Sequence, residues 1–178
     1  MMKTILKSKN PKFELRHIRM SDAKAYWEVK RDKDSKRGFM HVCKNLNCAR
    51  RDLKKYITGM KSKPQKIIIF AIIVEGKFAG FVDIHHLNEK YFWHKGELGY
   101  GILPEFRGKG LATAAVKIIT DYGFKKLKLR RIEGYCRTFN KASAKVLEKA
   151  GYKLEGVLRK NKCKDGKYLD DMVWAKVK

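Results

Sequence analysis

The sequence predicts a single α/β domain in which strands and helices follow the order βααβββαβαββ. Three observations support this fold class. Short β-branched runs such as residues 67–74 are typical of strands, and the apolar stripe between Leu111 and Tyr122 is typical of an amphipathic helix. At residues 100–113, an apolar strand passes through a proline turn and a basic glycine loop directly into that helix. With 178 residues and 44% hydrophobic side chains, residues 1–178 suit one domain with a sizeable core.

The N-terminal part is expected to hold one strand and two helices. Residues 13–18 alternate between apolar and polar side chains, as a half-buried strand does. Ser21 or Asp22 is expected to cap a helix that runs to about residue 30. The stretch 31–38 is polar enough to predict a mobile loop, and a second helix is expected over residues 49–60.

The middle of the chain is expected to form a hairpin, followed by the strand, loop and helix described above. Residues 67–74 and 78–86 are predicted strands. The turn between them, Glu75-Gly76-Lys77, suits a tight connection because its central residue is glycine. The next strand runs through Ile102, and the helix after the glycine loop ends near residue 126.

The C-terminal part is expected to contain a strand, a helix and a final hairpin. Asn140 is the predicted N-cap of the helix and Gly151 its C-cap. The predicted elements are a strand at 132–137, a helix at 141–150, and strands at 152–163 and 168–177 joined by a turn at 164–167.

The glycine loop predicts an anion-binding site. Gly108 and Gly110 let the backbone approach a ligand closely, and the helix that begins there directs free N–H groups and its positive dipole end toward a diphosphate. Arg107 and Lys109 add positive side chains. A Walker loop is excluded because Lys109 is followed by Gly110 and not by Ser or Thr, and a dinucleotide fingerprint would need a third spaced glycine. A glycine turn that only packs the helix on the sheet is the remaining alternative.

Ordered motifs fill the C-terminal half of the chain. They are Gly96-Glu97-Leu98-Gly99-Tyr100-Gly101-Ile102-Leu103-Pro104, Arg107-Gly108-Lys109-Gly110-Leu111-Ala112-Thr113, Arg131-Ile132-Glu133-Gly134-Tyr135-Cys136, Asn140-Lys141-Ala142-Ser143, Leu147-Glu148-Lys149-Ala150-Gly151-Tyr152 and Gly166-Lys167-Tyr168-Leu169-Asp170-Asp171. This series resembles the GCN5-related N-acetyltransferases (GNAT), and specifically the branch of the ribosomal-protein-alanine N-acetyltransferases. The resemblance implies a mixed, mostly antiparallel sheet of about seven strands with helices on both faces. It also favours an anion site over a purely structural glycine turn.

The same resemblance implies acetyl-CoA as the cofactor. In the family, the fourth and fifth strands splay apart, so that pantetheine inserts between them while the diphosphate binds the loop backbone. An amide N–H near Ile102 would stabilise the oxyanion, an interaction commonly worth about 3 kcal/mol. The cofactor-binding residues are therefore expected to be Ile102, Leu103, Arg107, Gly108, Lys109, Gly110, Leu111, Ala112, Thr113, Asn140, Ser143 and Lys145.

Glu97 is the predicted general base, acting through a water molecule. It precedes the loop on the same strand and matches the family's acidic position. The alternative is that Glu97 simply pairs with one of the 43 basic residues. Glu133 and Asp83 are the reserve candidates. If one of these carboxylates lies partly buried beside another, its pKa is expected to rise toward a useful value.

The motifs lack the usual proton donor of the family. Many family members place an acidic tyrosine on the helix after the asparagine, but that position is Leu147 here. In the ribosomal-protein branch a serine three residues after the asparagine is a proposed substitute, and Ser143 stands there; its alternative role is helix capping. Asn140 either caps the helix or contacts pantetheine, and one amide can do both.

The excess of 43 basic over 18 acidic residues gives a formal charge of +25, which attracts polyanions. The functional interpretation is an RNA-rich partner or an acidic peptide, together with coenzyme A. The alternative is a lysine-rich composition spread over a solvated surface. Polycationic acceptors such as polyamines and aminoglycosides are disfavoured unless a local acidic pocket attracts them.

The cysteines and histidines predict no metal site. The four cysteines are expected to be free thiols in a reducing compartment. Cys43 and Cys48, with His41 before them, lack a second paired ligand cluster at finger-like spacing. His85 and His86 are adjacent on a predicted strand, so they should point to opposite faces and not share one ion. The longest apolar run is strand-sized and the N-terminus has no secretion signal, so a soluble cytoplasmic protein without membrane contact is expected.

The function implied by these residues and the resemblance is acetyl-CoA-dependent N-acetyl transfer by direct reaction in a ternary complex. The favoured acceptor is the N-terminal α-amine of a protein or peptide, presented on a ribosome-like particle. The alternatives are a small-molecule amine, such as a polyamine or an antibiotic, or a non-catalytic acyl-CoA- or RNA-binding module. A relay through Cys136 is disfavoured because no paired histidine is evident. A monomer or a homodimer is expected.

Overall fold

The computed structural model describes residues 5–178. Its strands are β1 (Ile5–Lys9), β2 (Lys12–His17), β3 (Ile68–Val74), β4 (Lys77–His85), β5 (Lys95–Ile102), β6 (Arg131–Arg137), β7 (Lys153–Lys164) and β8 (Lys167–Val177). Its α-helices are α1 (Ala23–Arg31), α2 (Ser35–Gly38), α3 (Leu46–Lys61), α4 (Leu111–Lys125) and α5 (Lys141–Lys149). None of the helices between residues 5 and 178 has the length and apolar character that crossing a membrane requires.

The eight described strands form one sheet in the order β1-β2-β3-β4-β5-β6-β8-β7. Neighbouring strands pair antiparallel except β5 and β6, which are parallel. The predicted mixed, mostly antiparallel sheet is therefore confirmed, with eight strands instead of about seven. The extra strand, β1, is a short edge strand that exposes its lysines, so its sequence lacks the buried face that makes a strand easy to recognise.

Two hydrophobic cores lie on the two faces of the sheet. β3 contributes to both, because Phe70 and Ile72 pack in one core while Ile69 and Ala71 pack in the other. The first core includes apolar residues of α4 and α5, and the second includes those of α1 and α3. This arrangement confirms helices on both faces of the sheet. Because both faces of β3 are buried, its sequence is a continuous apolar run and does not alternate between apolar and polar residues.

Several helix ends differ from the expectation. Neither Ser21 nor Asp22 caps α1 with its side chain; the Asp22 carboxylate instead accepts hydrogen bonds from the Arg19 N–H and the Arg16 guanidinium. Helix α3 begins at Leu46, earlier than predicted, because the Asn45 side chain accepts a hydrogen bond from the Cys48 N–H and starts the helix there. The predicted cap of α5 by Asn140 is confirmed by its bond from the Ser143 N–H at 3.1 Å.

Candidate active site

The parallel strands β5 and β6 separate and open a cleft. They pair only where Lys95–Leu98 lies beside Arg131–Gly134. Beyond this point β5 continues beside β4 to Ile102, while β6 continues beside β8 to Arg137. The gap between the separated strands leads into a cleft of about 950 Å³. This is the splay that the family resemblance implies.

The glycine loop forms one end of the cleft, which we call the glycine-loop end (Gly108 to Thr113). Gly108 and Gly110 have φ angles of 75° and 74°, a left-handed conformation that favours glycine. Gly110 is the N-cap of α4, and the first helical bond runs from the Ala114 N–H to the Gly110 carbonyl at 3.1 Å. The N–H groups that precede Ala114 in α4 therefore need another acceptor, and their residues line the cleft.

Most of the predicted cofactor residues meet in this cleft. Those that line it are Ile102, Arg107, Gly108, Gly110, Leu111, Ala112, Thr113, Asn140, Ser143 and Lys145. Leu103 does not line it, because its N–H donates to the Ala79 carbonyl at 2.9 Å and its side chain packs in the core with α1 and α3. Lys109 also lies outside the lining, with its ammonium 5.6 Å from the centre of the Phe106 ring.

Arg107 has a different role from the predicted free cation. Its guanidinium pairs with Asp32, donates to Ser35 Oγ at 2.9 Å and approaches Asp34 at 3.4 Å. Its Nε donates to the Ile102 carbonyl at 3.2 Å. The polar stretch predicted as a mobile loop therefore contains the short helix α2 and is fastened to the glycine loop. The main-chain N–H groups are consequently more available to an anion at this end than the paired Arg107 side chain is.

A charged network lies at the other end of the separated strands, which we call the histidine end (Asp83, His85 and Glu97). His85 on β4 stands opposite Glu97 on β5 in the antiparallel register. Its Nδ1 lies 2.7 Å from Asp83 Oδ1 and its Nε2 lies 3.6 Å from Glu97 Oε1. Gly99 makes this arrangement possible, because a Cβ atom there would lie 2.6 Å from the Asp83 carboxylate.

The charges of this network lower the pKa of Glu97. Burial alone would raise the pKa of Glu97, but the hydrogen bond and charge of His85 outweigh burial and lower it. Burial likewise lowers the pKa of His85, but Asp83 and Glu97 outweigh it and raise the pKa to about 10. His85 is therefore an imidazolium at neutral pH and Glu97 is ionised. The condition for a raised pKa, a second carboxylate as the partner, is not met, because the partner of Glu97 is a cation.

The two reserve bases are tied to cations. Glu133 contacts the Lys95 ammonium at 3.1 Å and the Arg131 Nε at 2.7 Å, and these cations lower its pKa although burial alone would raise it. It does not line the main cleft. Asp83 lines the cleft but accepts from His85. Glu97 is thus the better placed of the three carboxylates to take a proton from a bound molecule.

Ser143 has a partner that the sequence motifs did not indicate. Its Oγ lies 2.7 Å from the Tyr100 hydroxyl, so Ser143 does not use its side chain to cap the helix. Burial raises the pKa of Tyr100, although the hydrogen bond with Ser143 opposes the shift, and the phenol keeps its proton at neutral pH. Leu147, at the family's tyrosine position, is buried against Gly134 and does not line the cleft. The Tyr100–Ser143 pair is therefore a protonated hydroxyl pair in the wall of the cleft, with the chemistry of a proton donor.

The two adjacent histidines also depart from the expectation. β4 ends at His85, and His86 has a φ of 56°, so strand alternation no longer separates their side chains. Their rings lie 4.9 Å apart, and together with Glu97 they form a group whose potential ligand atoms all lie within 4.8 Å of one another. His86 also contacts Glu89 at 2.6 Å. Both histidines line the cleft, so they belong to the same site as Glu97.

A third wall of the cleft comes from the segment between α1 and α3. Residues 38–41 line the cleft, with the Phe39 ring stacked on Phe81 at 6.1 Å. Lys164, in the β7–β8 hairpin, donates to the Lys36 and Phe39 carbonyls at 2.6 Å and holds this segment in place. The sequence did not predict this wall, because the contacts that hold the wall in place join residues more than a hundred positions apart.

The separated parallel pair above a glycine-capped helix defines an acyl-CoA-type binding fold, and comparison with known proteins identifies the family. A family model described as "Acetyltransferase (GNAT) domain" matches residues 12–153. The chain therefore belongs to the GNAT acetyltransferase family.

Curated relatives are N-acetyltransferases, and the name of one of them specifies spermidine as the acceptor. The probable N-acetyltransferase YjcK of Bacillus subtilis is 44% identical over 78 residues, which cover 44% of this chain and 43% of the relative. The spermidine N(1)-acetyltransferase of Escherichia coli K12 is 32% identical over 99 residues, which cover 56% of this chain and 52% of the relative. The matched segments thus span about half the length of these relatives.

Solved structures share the whole fold at lower identity. The ribosomal L7/L12 α-N-protein acetyltransferase RimL superposes with a TM-score of 0.85 at 19% identity, covering 100% of this chain and 96% of that one. The ribosomal-protein-S5-alanine acetyltransferase of Vibrio fischeri gives a TM-score of 0.82 at 23% identity, covering 98% and 96%. RimL in complex with coenzyme A gives 0.82 at 20% identity, covering 98% of each chain. At these identities the likeness shows the fold.

Proposed function

We propose that this protein transfers the acetyl group of acetyl-CoA directly to a primary amine, and that its acceptor is the N-terminal α-amine of a protein or peptide. The single observation that supports this most strongly is the cleft itself. It joins main-chain N–H groups at the glycine-loop end to the Glu97 network at the histidine end through the gap between β5 and β6. Family membership supports the reaction class.

The cleft fits acetyl-CoA along its length. The N–H groups of Leu111, Ala112 and Thr113, which precede the first helical bond of α4, would bind the diphosphate together with the helix dipole. Pantetheine would lie in the gap beside Tyr100 to Ile102, where β5 has lost its β6 partner. Related structures contain coenzyme A or acetyl-CoA. When bound, the cofactor supplies the activated acetyl thioester.

The chain's own groups would then move the protons. Glu97 would accept the proton of the attacking amine through a water molecule, and the Tyr100–Ser143 pair would donate one to the departing thiolate. Both groups are in the required state at neutral pH, because His85 keeps Glu97 ionised and burial keeps Tyr100 protonated.

The lowered pKa of Glu97 favours an α-amine over a side-chain amine. A weakly basic carboxylate can efficiently deprotonate only an amine that already loses its proton easily. An α-amino group has a pKa of about 7.7–8.0, whereas a lysine amine has one of about 10.4. A much larger fraction of α-amine is therefore neutral at pH 7, and this site needs less driving force to complete its deprotonation.

The charges in the cleft do not favour a polyamine. The carboxylates that line it are Asp34, Asp83, Glu97 and Asp171. Each has a cationic partner: Arg107 for Asp34, His85 for Asp83 and Glu97, and Arg137 for Asp171. Lys30, Lys145, Lys149 and Lys162 also line the cleft. A second or third ammonium group would find no carboxylate there without a cationic partner among the described residues.

The proposal is tested by measuring thiol release from acetyl-CoA with three kinds of acceptor. These are a peptide with a free N-terminus, the same peptide with a blocked N-terminus and one added lysine, and spermidine. Mass spectrometry locates the acetyl group. We expect turnover mainly with the free N-terminus. Faster turnover of spermidine than of every peptide would overturn the acceptor assignment, and cofactor binding without any thiol release would indicate a non-catalytic module.

The overall charge adds a second expectation. With a formal charge of +25, an acidic N-terminal peptide should react faster than a basic one at low salt, and the difference should shrink as ionic strength rises. Basic ribosomal proteins would then need presentation on an RNA-containing particle. Binding of RNA over a salt series, measured beside turnover, shows whether such a contact contributes.

A further inference from the structure

A second cluster of chemically active side chains lies at the start of α3, outside the proton-transfer network. It contains His41 and Cys43 from the preceding segment, and Cys48 and Asp52 from α3 itself. Each residue offers one ligand atom, and all four atoms lie within 4.8 Å of one another. In the sequence, only His41 and the two cysteines were candidates for this group. Asp52 completes the set because it follows Cys48 by one helical turn and so lies on the same face of α3.

Four of the six separations among these atoms lie close to those around a tetrahedral ion. His41 Nε2 lies 3.7 Å from Cys43 Sγ, 3.5 Å from Cys48 Sγ and 3.4 Å from Asp52 Oδ2. Cys43 Sγ lies 3.1 Å from Asp52 Oδ2. A zinc ion with bonds of about 2.0–2.3 Å would hold tetrahedral ligand atoms about 3.3–3.8 Å apart. Small side-chain adjustments would therefore bring all four atoms to bonding distance.

The surrounding structure holds the ligands in place without using their ligand atoms. The Trp27 indole N–H donates to the main-chain carbonyl of Cys43 at 3.0 Å, and the Asn45 side chain accepts from the main-chain N–H of Cys48 at 2.9 Å. Cys43 and Cys48 are free thiols. The backbone is thus fixed by groups other than the metal ligands, as is usual when a site is built before the ion arrives.

A buried cation beside the cluster provides an independent electrostatic argument. Lys30 is only 7% exposed, and its ammonium faces the rings of Tyr26 and Phe39 while the described residues offer it no salt bridge. Burial lowers the pKa of the Lys30 ammonium, and the nearby Asp52 carboxylate opposes that shift. Two thiolates, a carboxylate and a neutral imidazole around a divalent ion carry a net charge of −1. Such a centre would balance the buried ammonium, which is costly without a negative partner.

We propose that His41, Cys43, Cys48 and Asp52 form a structural zinc site. Two sulfur ligands with one nitrogen and one oxygen favour Zn²⁺ over the hard ions Mg²⁺ and Ca²⁺, and four protein ligands leave no open position for catalysis. The ion joins the segment that carries residues 38–41 to the first turns of α3. Because those residues line the cleft, the site stabilises the wall formed between α1 and α3.

The experiment measures metal content and affinity of the full chain and makes no use of turnover, so its outcome is separate from that of the proposed acetyl transfer. The protein is loaded with Zn²⁺, desalted and assayed by elemental analysis, and the metal-free chain is titrated with Co²⁺. We expect one equivalent of zinc per chain. We also expect the visible bands of tetrahedral cobalt together with a thiolate-to-cobalt charge-transfer band.

Four variants test the ligand set. Cys48→Ser and His41→Ala alter partly or fully exposed ligands, and each should weaken zinc binding by at least about 100-fold. Asp52→Asn should weaken it by about 10–100-fold. Cys163→Ser changes an exposed cysteine on β7 and serves as the matched control, with affinity unchanged. Far-ultraviolet circular dichroism of each variant in chelator confirms that it is folded.

Three results would overturn the site. They are zinc well below one equivalent, affinity that survives both His41→Ala and Asp52→Asn in folded protein, and an equal loss of zinc in Cys163→Ser. A Cys43–Cys48 disulfide that forms in air and leaves no metal bound would also replace the zinc site with a redox pair.

Discussion

At the glycine-loop end of the cleft the candidate binding groups belong to the main chain, whereas at the histidine end they are paired side chains. The first end depends on Gly108 and Gly110 and on helix N–H groups within a few residues. The second depends on Asp83 and His85 from β4 and on Glu97 from β5, brought together by sheet register. A main-chain site leaves a local sequence signature, but a side-chain network does not. The two ends should therefore respond differently to substitution.

The largest effect is expected from Gly110→Val. Gly110 has a φ of 74°, which a β-branched residue adopts only with strain of about 1–3 kcal/mol, so the loop should rearrange and lose its diphosphate site. Calorimetry should detect no coenzyme A binding in a folded variant. Gly166→Val is the matched control, because Gly166 has a φ of 73° in the β7–β8 turn and open space around it. Unchanged affinity in Gly110→Val would remove the loop from the site.

A smaller effect is expected from Glu97→Gln, which keeps the size of the side chain but removes its charge. Turnover at neutral pH should fall by about 10²–10⁴-fold, with little change in acetyl-CoA affinity, because the histidine end does not bind the diphosphate. Steady-state rates over a pH series provide the measurement. The control is Glu148→Gln, an exposed position on α5. Full activity with an unaltered pH profile would mean that solvent accepts the proton.

Substitutions in the Tyr100–Ser143 pair should lower turnover less than Glu97→Gln does. Ser143→Ala and Tyr100→Phe each remove one hydroxyl of a pair held at 2.7 Å, so the remaining hydroxyl can still donate to the thiolate. Each single change should lower kcat by only about 3-fold, whereas the double variant should reach the lower limit of general acid catalysis, about 10²-fold, which exceeds the product of the two single losses. Additive losses in the two single variants would show that the hydroxyls act separately.

The smallest effect is on stability and concerns the charge of His85. Its pKa in the folded protein, about 10, lies above the unfolded value of about 6.5. The stabilisation is therefore complete below pH 6.5 and is lost as the pH rises through 10. Because His85 is partly exposed, we expect His85→Gln to cost about 1–2 kcal/mol of unfolding free energy near pH 6.

Chemical denaturation at pH 6 and pH 10 measures this difference, which should nearly vanish at the higher pH. His94→Gln is the control, since the described residues give His94 no carboxylate partner within salt-bridge distance. An equal loss at both pH values would mean that His85 stabilises the fold by packing alone.

Local features of the sequence predicted the fold well. The β3–β4 hairpin, the Asn140 cap and the helix after the glycine loop depend on patterns within ten or so residues, and the structure has each of them. The first strand was missed because β1 buries little apolar surface. Residues 31–38, predicted as a mobile loop, contain the helix α2, and they are held by Arg107, which lies about seventy residues further along the chain.

Local features of the sequence also predicted part of the candidate site. At the glycine loop the proposed binding groups belong to the backbone, so residue types and spacing alone predicted both the site and its ligand class. The sequence also placed Glu97 and Ser143 in the cleft, but not their partners His85 and Tyr100. Those partners decide whether the carboxylate is ionised and whether a proton is available, and neither partner carries a motif of its own.

The sequence by itself determined the order of the elements, the glycine-capped helix and the acyl-CoA family, because hydrophobic period, capping and glycine conformation are local properties of the chain. The tertiary structure alone decided the direction of the Glu97 pKa shift and the pairing of Tyr100 with Ser143. It also decided the meeting of Asp52 with His41, Cys43 and Cys48. Each of these depends on the distance between two charges or two atoms from separate elements, and only packing of the sheet and helices fixes that distance.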